Sequence, residues 1–331
     1  MWFLRKDTIQ DMVLGSTFLA TGGGLPPQEQ LKIFDECFRK NEQLTVKRSD
    51  EFDEGEYLVT IYEVGDAAKP ANTDSEKLIH IFFNEYQLLA GITIKGIIPG
   101  EIGAEGLAFQ AAAYLNLPVV DSDLVGGRAA PEIQMDCFTV HHLPITPIVG
   151  VALSGKSIYV QNGFSSMEVE EKIRSFFAKN GGIGMIVGYP IRAGVYAKKG
   201  MQGTLSRAQE IGVLLGKKDL NSILKVTGGS IVATEKLLDV ELESKGGFHQ
   251  GFLTFENYRM RVKNEHMALL KDGTVVAQAP DLLVLLSDSC VPIHNADIGR
   301  YVGATILIVH IPSQGYWKEE KNRILWKTAM V

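Results

Sequence analysis

GITIKGIIPGEIGAEGLAFQAAAYLNLPVVD, residues 91–121, decides the fold. GITIKGII (91–98) is a strand candidate, IGAEGLAFQAAAYLN (102–116) is alanine-rich and helical, and LPVVD (117–121) is a short buried run. Strand, helix and second strand in that order form the βαβ signature of a parallel sheet, whose crossover needs a dozen or more residues. Ligands of such sheets sit beyond the carboxyl ends of the strands. Asp121 stands at that end of its strand.

Working outward, helices are predicted near 8–20 and 27–40, and YLVTIYEV (57–64) is a further strand. Thr8-x-x-Asp11 has the spacing of a capping box, and Ile9, Met12 and Val13 share one helical face. From about 166 the texture changes. SSMEVEEKIRSFFAKNGG reads as a helix capped by Ser165 or Ser166, and GTLSRAQEIGVLLGKK (203–218) as a second. Beyond Gly246 the chain becomes a meander, in which Tyr258, Met260 and Val262 alternate with Arg259, Arg261 and Lys263 at the period of a half-buried strand. Lys271-Asp272-Gly273 is a hairpin turn, and VVAQAPDLLVLLSD and YVGATILIVHI add strands. The expected architecture is an N-terminal α/β domain (1–165) with a largely parallel or mixed sheet. A C-terminal α+β domain (166–331) follows it and ends in an antiparallel β meander.

Composition narrows the function. Of 331 residues 45% are hydrophobic and 22% charged, the profile of an ordinary globular protein. The net charge of −6 carries no basic block, so nucleic acid is not an expected partner. Three scattered cysteines, Cys37, Cys137 and Cys290, suit a reducing cytoplasm better than a disulfide framework. Apolar runs such as Ala304 to Ile311 are far shorter than the ~20 residues a bilayer requires, and charges interrupt the N-terminal run, so no membrane association is expected.

VVDSDLVGGRAAPEIQ (119–134) concentrates Asp121, Asp123, Arg128 and Glu132 just past a buried strand. Two aspartates at i and i+2 of an extended segment share a side and repel unless an arginine, a metal ion or a shared proton compensates. Such a pair suits activation of water. The structural alternative has Asp121 capping a turn, Asp123 solvated and Arg128 bridging to Glu132. Gly22, Gly23 and Gly24 leave backbone amides free to converge on an anion or carbonyl oxygen, or else form a plain helix C-cap. Thr204 or Ser206 either caps a helix or offers its N-terminus to a ligand. Asn264-Glu265 and Pro280-Asp281 mark strand ends, where Asn264, Glu265 and Asp281 are candidates for substrate contact or for satisfying turn amides. The histidines are scattered and form no metal motif.

In order, LGSTFLATGGGLPP, VVDSDLVGGRAAPEIQM, QGTLSRAQEIG, GGFHQGFLTFE, VKNEH and VAQAPDLLVLLSD resemble the S-methyl thiohydantoin desulfurase-like family over roughly 8–311. Where that family typically carries Gly-Arg-Ala-Phe-Pro-Glu, this chain has Ala130 in place of the phenylalanine. The resemblance implies chemistry on a small five-membered cyclic imide- or hydantoin-like ring, with water displacing a methylthio group. In that reading Asp121 or Asp123 is the base, Arg128 and the Gly22–Gly24 amides stabilise developing charge, and Glu132 protonates the leaving sulfur. No cofactor is expected. One alternative is a metal-assisted cyclic amide hydrolase with Asp121, Asp123 and Glu132 binding a divalent ion. The other is a non-catalytic accessory or sensor subunit of a hydantoinase-like system. The expected assembly is a homo-oligomer.

Overall fold

The computed structural model describes residues 1–65, 75–152, 154–161, 165–245 and 248–328. Gly246 and Gly247, where the meander was expected to begin, lie outside the described residues.

The βαβ unit forms as read. Ile94–Pro99 and Val119–Val120 are parallel strands joined by the helix Gly106–Leu115. That helix starts four residues later than the alanine-rich run suggests, because Gly100 to Glu105 form a loop in which the Glu105 carboxyl accepts from the Gly103 amide (2.7 Å). It stops at Asn116, whose φ of 53° is the left-handed conformation that closes helices. Val119 and Val120 are both fully buried, as expected for a strand covered on both faces.

These strands sit inside an eight-stranded mixed sheet. Across it run Trp2–Arg5, Gln43–Lys47, Val119–Val120, Ile94–Pro99, Tyr57–Gly65, Ile183–Arg192, Ile148–Ala152 and Ser157–Val160. Pairings from Gln43–Lys47 to Tyr57–Gly65 are parallel, and the remainder are antiparallel. Chain beyond residue 165 returns to this layer: Ile183–Arg192 pairs with Tyr57–Gly65. The helices Ile9–Leu19 and Thr204–Gly216 cross at backbone contact, since a Cβ on Gly15 would overlap the Ala208 carbonyl and one on Gly212 the Asp11 carbonyl.

Three cap expectations resolve differently. Ser165 caps Ser166–Lys179 in a capping box with Glu168. Thr8 makes no side-chain cap, because a 3-10 turn precedes the helix and its hydroxyl donates to the Arg5 carbonyl (3.1 Å). Neither Thr204 nor Ser206 caps Thr204–Gly216; its N-cap is Gly203, with φ 78°.

The C-terminal meander is a seven-stranded antiparallel sheet. Its order is Thr274–Gln278, Glu265–Lys271, Arg259–Lys263, Phe248–Phe255, Ser230–Lys245, Thr305–Ile311 and Leu282–Ser287. Asp272 (φ 50°) and Gly273 (φ 76°) make the expected hairpin turn. The sheet curls until its two ends meet, with His266 Nδ1 reaching the Leu283 carbonyl at 2.7 Å. Among the described residues no helix is long and apolar enough to cross a membrane.

Candidate active site

A cavity of about 390 Å³ opens where the carboxyl ends of the parallel strands face the curled sheet. Tyr62, Glu63 and Val64 from the end of Tyr57–Gly65, and Gly100 and Glu101 just past Ile94–Pro99, form one wall. This is the position the strand-end rule assigns to ligands. The opposite wall brings Asn264 and Glu265 from the meander, with His294 and Asn295 from the loop between its strands Leu282–Ser287 and Thr305–Ile311. Leu25, Leu107, Leu124, Val125 and Ile133 make much of the remainder apolar. Ala130 also lines it.

Gly22, Gly23 and Gly24 line this cavity together with Glu132, Asn264 and Glu265. The meander packs onto two of these glycines: a Cβ on Gly23 would overlap the Glu265 carboxylate, and one on Gly22 the His266 ring. Their loop is stitched to the C-terminal half. The His266 amide donates to the Thr21 carbonyl, and the Asn295 amide to that of Gly22 (both 2.9 Å). The Gly23 amide closes on Ala20 (3.0 Å), while those of Gly22 and Gly24 have no acceptor among the described residues. Glu132 is ion-paired to Lys263 (2.6 Å) and accepts from Gln134 (2.7 Å).

Asp121, Asp123, Arg128, Thr204, Ser206 and Asp281 do not line the cavity. The aspartate pair and the arginine therefore do not meet the triglycine loop in this cavity, because each is taken up by other partners. Asp121 accepts from the Ser206 amide (3.0 Å), the Ser206 hydroxyl and the Trp2 indole (3.1 Å), so it satisfies the first turn of Thr204–Gly216 from outside. Asp123 is not solvated but fully buried, and it accepts from the amides of Gly126 (2.8 Å) and Gly127 (2.6 Å). Burial raises its pKa to about 7 despite those bonds. Buried Thr204 packs against Gly127. Arg128 makes no bridge to Glu132, which is held by Lys263. Asp281 accepts from His310 (2.9 Å), Arg323 (2.8 Å) and the Ser313 amide (3.1 Å); burial pushes its pKa up, but these donors outweigh it and hold it well below the usual carboxylate range. Asp121, Asp123 and Glu132 are thus each committed to different partners and do not converge as a metal-ligand trio. Among the described residues no group of three or more His, Cys, Asp or Glu side chains is placed to hold a metal ion.

Just behind the cavity wall, Arg128 is 1% exposed. Its guanidinium stacks 3.9 Å from the Trp326 ring centre and donates to the carbonyls of Ala129 (3.0 Å) and Pro280. Burial pulls it down to about 10, against the opposing pull of Glu265, Asp281 and Glu101. Asp281 is also held by Arg323 and His310, whereas no ion pair joins Arg128 to Glu265 or Glu101 among the described residues, so its charge acts on these two cavity acids through its field alone. Glu101 accepts one bond, from the Ala130 amide (2.9 Å), and burial lifts its pKa to about 8. Glu265 is pushed well above the usual range by burial and then by Glu101. Its Oε2 is buried without a hydrogen-bond partner among the described residues. The reversal that aims it inward is sharp. Asn264, between two strands, takes φ 58°, its side chain accepts from the His249 amide (2.9 Å), and its carbonyl accepts from Asn295 (2.7 Å).

Glu101, Glu63, Asp136, His249, His294 and Asn295 are cavity residues that the sequence reading passed over. Glu101 carried a usable signal: like Asp121, it follows the carboxyl end of a βαβ strand. His294 is spoken for, accepting from the Ala296 amide on Nδ1 (3.0 Å) and facing the Gly24 carbonyl with Nε2 (3.3 Å), and burial lowers its pKa.

Fold and site together define a two-part α/β protein with an acid-walled cavity closed by an antiparallel β unit. The chain belongs to the S-Me-THD-like, or S-methyl thiohydantoin desulfurase-like, family: its N-terminal domain model matches residues 7–162 and its C-terminal domain model residues 165–326. A crystal structure of a protein from Chromobacterium violaceum has the same fold, with a TM-score of 0.80 at 20% identity over 100% of this chain and 96% of that one. Among curated proteins none matches.

Proposed function

We propose that the protein hydrolyses a small five-membered cyclic imide- or hydantoin-like ring, with water displacing a methylthio group. Family membership supports the ring chemistry, and the observation that carries the catalytic reading is the Glu265 carboxyl, whose Oε2 has no hydrogen-bond partner among the described residues, in a largely apolar cavity that Glu101 also lines. Burial and mutual repulsion favour protonated Glu101 and Glu265 while the nearby Arg128 charge favours ionisation of one of them, and in the active form the pair holds one proton between them. One carboxyl is then ready as a base and the other as an acid near neutral pH.

Water attacks the ring carbon that bears sulfur and is doubly bonded to nitrogen. Its proton passes to the ionised carboxyl, and the ring nitrogen takes up the C=N electron pair and the proton of the other carboxyl. Collapse of the tetrahedral adduct forms the carbonyl, breaks the carbon–sulfur bond and returns the hydroxyl proton to that second carboxyl. The sulfur leaves as methanethiol with the proton the first carboxyl had taken from water, so both carboxyls regain their starting states and one water is consumed for each thiol released. The Gly22 and Gly24 amides are the donors available to growing negative charge, and losing one such donor costs ~3 kcal/mol of barrier.

The test is thiol release and ring opening across S-methylated thiohydantoins, hydantoins and oxoproline-like rings. Thiol release by the wild type that falls at least ~100-fold in Glu265→Gln supports the assignment. A folded wild type that transforms none of these rings overturns it.

A further inference from the structure

The reaction above leaves one part of the cavity without a role. Tyr62, Tyr189 and Asp136 line it together. Tyr189 has φ 59°, a genuine outlier for a bulky residue, and such strain persists only where the surroundings over-determine it. Here the Tyr189 amide donates to Ile145 (2.9 Å), and its ring packs edge-on against Phe138, with centroids 5.0 Å apart. Its phenol is thereby set 3.0 Å from that of Tyr62. Two hydroxyls joined by one hydrogen bond leave one O–H to donate elsewhere.

Asp136 supplies the complement. Its Oδ1 caps the short helix Cys137–Val140 by accepting from the Thr139 amide (2.7 Å). Its Oδ2 is buried with no hydrogen-bond partner among the described residues, in a side chain only 2% exposed. Burial also lifts the Asp136 pKa to about 7, against the Thr139 amide and the Thr139 and Tyr189 hydroxyls, which lie close enough to draw it down. The cationic side chain that lines the cavity, Arg174, is bonded to Glu170 (2.8 Å) and lies over the Phe248 ring (4.8 Å). An anionic ligand group therefore has no free counter-charge here. What remains is one acceptor beside one donor, and an amide edge presents the same two functions in complement. A cavity of about 390 Å³ lies in the range that holds whole small molecules, ~300–1,000 Å³, so it admits a ring together with its recognition groups.

We infer that Asp136 and the Tyr62–Tyr189 pair form a recognition site for the N–H/C=O edge of a cyclic amide or imide. Asp136 Oδ2 accepts from the ring N–H and the free phenol O–H donates to the adjacent carbonyl oxygen. The inference rests on the hydrolase reading and deepens it, because it selects rings that keep an N–H next to a carbonyl over lactones and N-alkylated rings. A site built to bond a substrate N–H rejects an analogue lacking it by up to ~10⁴-fold, because its own buried groups are left unpaired.

Calorimetric binding of two probes decides the matter: hydantoin, and hydantoin methylated on the imide nitrogen. The wild type is expected to prefer hydantoin by at least ~100-fold. Asp136→Asn keeps an oxygen for the Thr139 amide and puts an NH₂ where the acceptor was, so hydantoin binding falls and the preference collapses. Tyr189→Phe weakens hydantoin by a smaller factor, and circular dichroism verifies the fold of both variants. Equal binding of the two rings by a wild type that still releases thiol overturns the edge assignment alone. If no ring binds and none is transformed, the hydrolase reading falls and takes this one with it.

Discussion

Two pairs of carboxyls are treated differently: Asp121 and Asp123 are buried away from the cavity, while buried Glu265 and half-buried Glu101 line it. Asp121 and Asp123 are supplied with donors: Ser206 and Trp2 hold the first, and the Gly126 and Gly127 amides the second. Glu101 and Glu265 are starved of them. One has a single amide, and the other has an oxygen with no partner among the described residues. A buried carboxyl whose lone pairs are filled does structural work, because removing it strands its donors. One left short is held at a cost that a ligand or a proton in flight relieves. Of two acid pairs in one small region, the poorly satisfied one borders the cavity.

The sharpest way to break this contrast is to exchange the effects of the two pairs. Glu265→Gln should lower turnover by about 10²–10⁴-fold with little change in thermal stability, measured by thiol release and differential scanning calorimetry. If instead Asp121→Asn proves to be the inactive variant at full stability, the contrast is inverted and the assignment with it.

Arg128→Met tests the charge shared across the wall. It strips the counter-charge from Glu101 and Glu265 and leaves the Pro280 carbonyl without its donor, so unfolding in urea should show a loss of ~3–5 kcal/mol. The pH dependence follows from the raised carboxyls. Glu101 titrates at about 8 in the folded chain and near ~4 when unfolded, so between those values the folded state alone keeps the proton. Stability therefore falls as pH rises through that window, by at most ~1.4 kcal/mol per unit for one group. Asp123, Asp136 and Glu63, each raised to about 7, act in the same direction. Glu101→Gln should flatten part of the slope, making the variant more stable than wild type at pH 8 and comparable at pH 5 in parallel denaturation curves. The smallest effect is expected for Asp121→Asn. Weakening the contacts at the start of Thr204–Gly216 should cost ~1–2 kcal/mol in the same denaturation assay, with turnover per folded molecule unchanged.

Much of the fold is written locally. The βαβ unit, the Asp-Gly turn and the alternation along Arg259–Lys263 follow from periodicity and turn chemistry, which act over a few residues. The site is only half legible for the same reason. Gly22–Gly24 and Asn264-Glu265 stand out because an unusual backbone leaves a compositional trace. Glu101 looks like any loop acid, and Asp136 like any helix cap. Asp121 shows the converse: the group it satisfies is the amide of Ser206, 85 positions away. No spacing rule connects them.

From the sequence alone came the two-part α/β and β architecture and the glycines that admit a close neighbour. Each depends on backbone preferences and hydrophobic period, which are properties of short segments. Only the folded chain decided which acids are satisfied and which face the cavity, because hydrogen-bond supply and burial are set by what packs against a residue from elsewhere in the chain.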